Sequence, residues 1–111
     1  CLMGNCTYLP AVVRATQQLP EVTFVVDHLL LNDFGSGEAT FDQWHEGLQA
    51  LAQCSNCFAK LGAIEQWGVD DPQPFLRAAI RAFGFERCMF DGNWFVPSAV
   101  GREYGATVRD V

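Results

Sequence analysis

Apolar residues recur every three or four positions in three stretches of the chain, and this spacing predicts three amphipathic helices. The first covers residues 9–18, the second begins at Thr40, and the third begins at Asp71-Pro72. Leu19-Pro20 ends the first helix, because proline cannot continue the backbone hydrogen-bond ladder. The predicted apolar stripes are Leu9, Val12, Val13 and Thr16 in the first helix, Phe41, Trp44, Leu48 and Leu51 in the second, and Phe75, Leu76, Ala79, Ile80 and Phe83 in the third.

Local signals mark the helix ends and the loops. Thr40 and Gln43 have the spacing of a capping box, in which each side chain bonds the other residue's backbone N–H. Asp71 is a capping carboxylate followed by a proline in the first helical turn. Gly84 lies where a helix C-terminus favours a left-handed residue. Residues 32–39 are rich in Asn, Asp, Gly and Ser and predict a loop.

Three apolar runs predict strands, and the first of them, β-branched and without alternation, is typical of a strand buried on both faces. They cover residues 22–26, 57–61 and 88–90, and the first two end at Asp27-His28 and Gly62. The resulting order α-β-α-β-α-β predicts a parallel α/β sheet with right-handed crossovers. Three strands and this few helices leave sheet faces uncovered, so the pattern indicates further protein or a partner.

The C-terminal fifth of the chain gives weaker signals. Residues 91–100 are expected to form a loop, and residues 101–111 are expected to begin a last helix that Gly101 and Gly105 weaken. A chain that begins at Cys1 is expected to be a fragment, a processed product or a partial reading frame.

Composition narrows the class of protein. The chain has 111 residues, of which 50% are hydrophobic and 18% charged, which is typical of one folded domain. No apolar run could span a bilayer, and no signal-peptide pattern is present at the start. The net charge of −6 argues against a nucleic-acid partner. Five irregularly spaced cysteines do not suggest a disulfide framework and indicate a reducing, cytoplasmic setting.

Candidate chemistry lies where strands end, because functional groups of parallel α/β folds gather at the carboxyl ends of the strands. His28 could ligate a metal or transfer a proton, or it could be a core histidine hydrogen-bonded to the backbone. Its neighbour Asp27 is expected on the opposite face, in a structural role. Lys60, inside the second strand, either points into the interior and binds substrate or extends to the rim.

The third strand leads to a second group of candidates. Asp91 could bind metal or act as a base, and Asn93 could share its face if the strand continues; the alternative is a solvated loop. Cys54 and Cys57 form a single C-x-x-C pair that follows a helix rather than opening one. This position does not favour a zinc or redox site. His45, within the second helix, is interpreted as a surface residue.

Three segments, taken together, resemble the amidohydrolase-related family, in the branch that holds lactonases and metal-dependent decarboxylases. Residues 20–29 resemble its strand "P-x-V-x-F-V-x-D-H", and residues 44–62 resemble its "W…L…LA-x-C-P-N-V-x-x-K-L-G" segment. Residues 82–90 resemble "A-F-G-P-E-R-C-M-F". The resemblance covers residues 9–104 and implies a (β/α)8 TIM barrel, of which residues 1–111 would form the C-terminal part, at about strands six to eight.

The resemblance also implies site residues. His28 matches the family's strand-end histidine, and Asn93 matches the residue after strand eight, which is usually Asp in "G-S-D-W-P" and Asn in some members. Trp94 fits that motif as a substrate contact, whereas Phe95 replaces its proline. Leu29 departs from the glycine that usually follows the histidine. The family's first-strand His-x-His would lie outside this chain.

The implied activity is hydrolysis of a small cyclic ester (a lactone) or a similar carbonyl compound by an activated water, with a divalent metal such as zinc as the expected cofactor. Decarboxylation in the same site is the close alternative. A catalytically inactive remnant, a partner-dependent fragment and a complete small binding domain also stay open. The expected partners are a small-molecule substrate and either an oligomer or the missing N-terminal half of the barrel, with neither nucleic acid nor membrane. The isolated chain is expected to be inactive.

Overall fold

The structure is a computed structural model that describes Leu2 and residues 4–91 of the chain. Three helices and three strands alternate, as the apolar pattern predicts. They are α1 (Leu9–Gln18), β1 (Phe24–Val26), α2 (Phe41–Ala52), β2 (Cys57–Gly62), α3 (Gln73–Phe83) and β3 (Cys88–Asp91). Short 3-10 turns lie at Cys6–Tyr8, Asp27–Leu30, Phe34–Ser36, Ile64–Gln66 and Phe85–Arg87.

The element boundaries differ from the prediction mainly at the strands. The first strand is shorter than predicted, because Val22 donates its backbone N–H to Leu19 O in a turn and is 41% exposed. The second strand includes Gly62, and the third includes Asp91, which was expected in a loop. The remainder of the predicted loop and the predicted last helix lie outside the described residues.

The three strands form one parallel sheet in the order β1-β2-β3. Leu2 adds a further parallel bridge at the free edge of β1: its N–H donates to Val25 O at 2.7 Å, and its carbonyl accepts from Asp27 N at 2.7 Å. This edge is therefore already paired by a fourth segment of the same chain, which the sequence pattern did not indicate.

The core lies on one face of the sheet, against α2 and α3. Along β2, Cys57, Ala59 and Leu61 are buried, whereas Phe58 and Lys60 are only half-buried. The second face of the sheet is therefore only partly covered within the described part of the chain, as the prediction from three strands and this few helices implies. In a closed barrel the second face is covered by strands from the opposite wall, and no such strand occurs among the described residues.

Both predicted helix-start signals are present. Thr40 Oγ1 accepts from Gln43 N at 3.2 Å, and Gln43 Oε1 accepts from Thr40 N at 3.0 Å, which completes the capping box. Asp71 Oδ1 accepts from Gln73 N at 3.0 Å at the start of α3. Gly84 follows α3 with φ of +76°, a backbone angle that glycine adopts without steric cost.

Two side chains brace the amino ends of the strands, opposite the predicted site. The amide nitrogen of Asn56 lies 2.9–3.2 Å from three carbonyl oxygens, those of Thr16, Leu19 and Val22. The Arg87 guanidinium donates to four carbonyl oxygens, those of Ala52, Cys54, Cys57 and Phe83, at 2.8–3.3 Å. Each brace joins a helix end to β2 and so fixes where the strands begin.

Among the described helices, none is both long and apolar enough to cross a membrane.

Candidate functional site

The carboxyl ends of the three strands meet along one edge of the sheet. β1 ends at Val26 and leads directly to Asp27 and His28, while β2 ends at Gly62. Gly62 pairs with Asp91, the last residue of β3. The structure therefore brings the strand-end candidates to one edge, as expected for a parallel sheet.

His28 lies in an unusual backbone turn. Its φ and ψ are 56° and 29°, and Leu29 and Leu30 also have φ near +55°. A left-handed conformation costs roughly 1–2 kcal/mol for each non-glycine residue. The two leucines are at most 1% exposed, and Trp44 Nε1 donates to Leu29 O at 2.9 Å, so packing and this hydrogen bond hold the turn. Such strain is a feature of functional sites.

The imidazole of His28 is buried, with 4% of the residue exposed. Its Nδ1 has no hydrogen-bond partner among the described residues. Buried polar groups are nearly always hydrogen-bonded, and exceptions call for an explanation. Within the described part of the chain, no backbone group therefore bonds Nδ1, as one would if His28 were a structural core histidine.

Asp27 and Lys60 form an ion pair, with Lys60 Nζ 3.3 Å from Asp27 Oδ1. The strand register explains this contact. Val26 pairs with Ala59 in the parallel sheet, so Asp27 and Lys60, which follow them, lie side by side on the same face. The distance is that of an ion pair, although Oδ1 does not meet hydrogen-bond geometry. The Lys60 side chain is 29% exposed and that of Asp27 16%. The ion pair therefore offsets the free-energy cost of partly burying the Lys60 charge on the half-covered face of the sheet.

Two loops contain polar residues that the sequence analysis missed. Asn32 lies in the β1–α2 loop, and Glu65 and Trp67 lie in the β2–α3 loop. Asn32 Oδ1, both Glu65 carboxylate oxygens and Trp67 Nε1 are buried and have no hydrogen-bond partner among the described residues. The position of Glu65, three residues after β2, was the available signal, because strand-end loops carry the sites of this fold class.

The side chains of the other predicted site residues lie outside what the structure describes. Asp91 ends β3 opposite Gly62, but its side chain lies outside what the structure describes. Asn93 and Trp94 lie outside the described residues altogether. Their roles stay predictions.

The fit of a metal rests on His28. Among the described residues, no group of three or more His, Cys, Asp or Glu side chains could hold a metal ion. The unpartnered Nδ1 of His28 can supply one imidazole ligand. The described residues can therefore supply one metal ligand, and further metal ligands would come from other parts of the protein.

Cys57 of the C-x-x-C pair lies in an environment that does not activate its thiol. Burial and, to a smaller extent, neighbouring Cys54 together raise the pKa of Cys57 to about 11, although the nearby Arg87 guanidinium acts in the opposite direction. Burial also raises the pKa of Cys88. Thiolates are the species that ligate zinc and attack disulfides, so this environment disfavours both roles near neutral pH.

We expect Cys57 in the folded protein to resist iodoacetamide at pH 8. With a pKa of about 11, only about one thiol in a thousand is ionised there. Because the raised pKa extends the protonated form to higher pH, the alkylation rate should keep rising up to about pH 11. Mass spectrometry of the Cys57 peptide measures this rate, with the urea-unfolded chain as the control. Alkylation at pH 8 as fast as in urea would contradict the raised pKa.

The chain is similar in sequence to proteins of one known family. The chain matches the sequence model of the amidohydrolase family over residues 6–109. It is 28% identical over 108 residues to an L-fucono-1,5-lactonase of Burkholderia ambifaria, covering 89% of this chain and 36% of that protein.

Solved structures share the fold. A zinc-bound amidohydrolase from Burkholderia multivorans has a TM-score of 0.79 at 22% identity, covering 96% of this chain and 40% of the other. A Pseudomonas putida protein named as a candidate 2-pyrone-4,6-dicarboxylic acid hydrolase has a TM-score of 0.77 at 20% identity, with 98% and 41% covered. The chain spans well under half the length of these relatives.

Proposed function

Because this chain belongs to the amidohydrolase family and has the fold of part of its TIM barrel, we propose that the protein containing it hydrolyses small cyclic esters. The observation that carries the proposal is the strained, buried turn that holds His28 at a strand end with Nδ1 unpartnered. The similarity to an L-fucono-1,5-lactonase favours a lactone as the cyclic ester. Water would add to the ring carbonyl, the ring C–O bond would break, and a hydroxy acid would leave.

The described residues fit separate parts of this reaction. His28 would hold the substrate carbonyl or one coordination position of a metal through its unpartnered Nδ1. A divalent metal such as zinc, when bound, would polarise the carbonyl and lower the pKa of the attacking water. Lys60, held by Asp27, would present an ammonium group to the oxygen that gains negative charge.

The residues after β3 would complete the proton transfer. Asp91, as a carboxylate, could accept the proton of the attacking water, whereas the amide of Asn93 could only orient it. Trp94 would contact the substrate ring. Since the chain covers 36% of the lactonase, the remaining strands and ligands would come from the N-terminal part of a larger barrel or from a partner chain. We propose a cytoplasmic location with a small-molecule substrate.

The test is ring opening of L-fucono-1,5-lactone by the complete protein that carries this chain, followed by proton release at constant pH. We expect hydrolysis above the spontaneous rate, loss of activity after treatment with a chelator, and recovery on adding zinc. Carbon dioxide release from carboxylated substrates without lactone hydrolysis would favour the decarboxylase instead. If neither reaction occurs in zinc-supplied protein, the chain belongs to an inactive remnant and the proposal fails.

A further inference from the structure

The loops that follow β1 and β2 are joined into one wall by backbone contacts. Asp33 N donates to Gln66 O at 3.0 Å, and Gly35 N donates to Trp67 O at 2.7 Å. A β-carbon at Gly35 would lie 1.7 Å from Gly68 O, so only glycine permits this approach. The two loops therefore hold a fixed relative position at the edge of the sheet where His28 lies.

A cavity of about 570 Å3 opens between these loops. Its lining is polar and consists of Asn32, Asp33, Gly35, Ser36, Glu65, Gln66 and Gly68. Two of the lining residues, Glu65 and Asn32, carry three acceptor atoms (both Glu65 carboxylate oxygens and Asn32 Oδ1) that are buried and receive no hydrogen bond from the described residues. A buried acceptor left without a donor costs about 1–3 kcal/mol, and more when it is charged. A ligand in this cavity that brings donors would satisfy these three acceptors once their side chains turn towards it.

The charges at this edge decide which ligand is suitable. The described titratable groups on the two loops and the adjoining inner face include Asp27, Asp33 and Glu65, and the ammonium of Lys60 is shared with Asp27. A carboxylate on the ligand would meet oxygens of like charge. Hydroxyl groups instead donate to a carboxylate in short, strong hydrogen bonds.

We propose that Glu65 and Asn32 are specificity-determining residues that accept hydrogen bonds from the hydroxyl groups of a neutral, polyhydroxylated lactone; this rests on the proposed lactone hydrolysis. The same acceptors reject a dicarboxylate such as the pyrone acid that names the Pseudomonas putida relative. A site built to bond a hydroxyl discriminates strongly against an analogue that lacks it, because its buried polar groups are then left unpaired.

The experiment compares L-fucono-1,5-lactone with δ-valerolactone, which has no hydroxyl group, in the complete protein. Glu65→Gln is expected to lower the ratio of kcat/KM for the hydroxylated over the plain lactone by about 10- to 100-fold. Asp70→Asn is the matched control, because it removes an exposed carboxylate from the same loop without touching the cavity, and should keep the wild-type ratio.

Thermal unfolding separates a ligand-binding role from a structural one. If the Glu65 carboxylate has no partner until a ligand binds, Glu65→Gln should not lower the melting temperature of the free protein. A lower melting temperature with an unchanged lactone ratio would show that Glu65 is paired within the folded protein, and would overturn the inference. An equal loss of activity towards both lactones would overturn it as well.

Binding of 1,5-anhydro-L-fucitol, which keeps the ring hydroxyls and lacks the carbonyl, tests the inference independently of catalysis. Calorimetric titration should show binding to the wild-type protein that weakens at least about tenfold in Glu65→Gln. If the lactones are not hydrolysed but this binding pattern holds, the proposed reaction fails and the hydroxyl site stands. If the wild-type protein does not bind the probe, the hydroxyl site fails whatever the activity.

Discussion

Replacing His28 with alanine should lower kcat for lactone hydrolysis by about 100- to 10,000-fold, the range expected when a positioned acid-base group or an electrostatic contact to the reacting carbonyl is lost. His28 is the residue that the β1 strand end and its left-handed turn place at the site edge. Initial rates at saturating L-fucono-1,5-lactone measure the effect. Retention of the wild-type kcat would remove His28 from the mechanism.

Stability separates this role from a structural one. Because Nδ1 of His28 makes no hydrogen bond within the described residues, the substitution should lower the melting temperature only through the small cavity it leaves. His45→Ala is the matched control, since His45 is the other histidine of the chain. His45 is half-buried rather than fully on the surface, and its ring lies 5.5 Å from that of Phe41. Its loss should leave kcat within about twofold of wild type.

Replacing Arg87 with alanine should lower the free energy of unfolding by about 3 kcal/mol or more, the scale of breaking a partly buried, charge-assisted network. The substitution leaves the carbonyls of Ala52, Cys54 and Cys57 without this donor and also removes the stacking of the guanidinium on Phe83, whose ring centroid lies 5.2 Å away. Urea unfolding of the complete protein, followed by circular dichroism, measures the change.

Two further arginine variants make this prediction specific. Arg87→Lys keeps the charge but loses the planar fork, so its loss of stability should fall between wild type and Arg87→Ala. Arg81→Ala removes an exposed arginine from α3 and should change the free energy of unfolding by less than about 0.5 kcal/mol. Because Arg87 braces the amino ends of the strands, the folded fraction of Arg87→Ala should keep its kcat. Equal stabilities of Arg87→Ala and Arg81→Ala would contradict the brace.

The helices could be predicted closely because their signals are local. The spacing of apolar residues gives α1 with its observed bounds, and the capping box of Thr40 and Gln43 forms as predicted. Asp71 caps α3 through Gln73, two residues along the chain. The first strand was predicted too long, because Val22 has the composition of a strand residue, yet a turn contact with Leu19 takes its N–H.

The sequence by itself determined the alternation of helices and strands, the edge at which the strand-end residues gather, and, through the three family-like segments, membership of a barrel family. Tertiary structure alone decided the chemistry along that edge. The register of β1 on β2 brings Asp27 to Lys60, and the meeting of two loops buries the carboxylate of Glu65. Such contacts join residues more than 30 positions apart, and neither periodicity nor capping signals carry information over that distance.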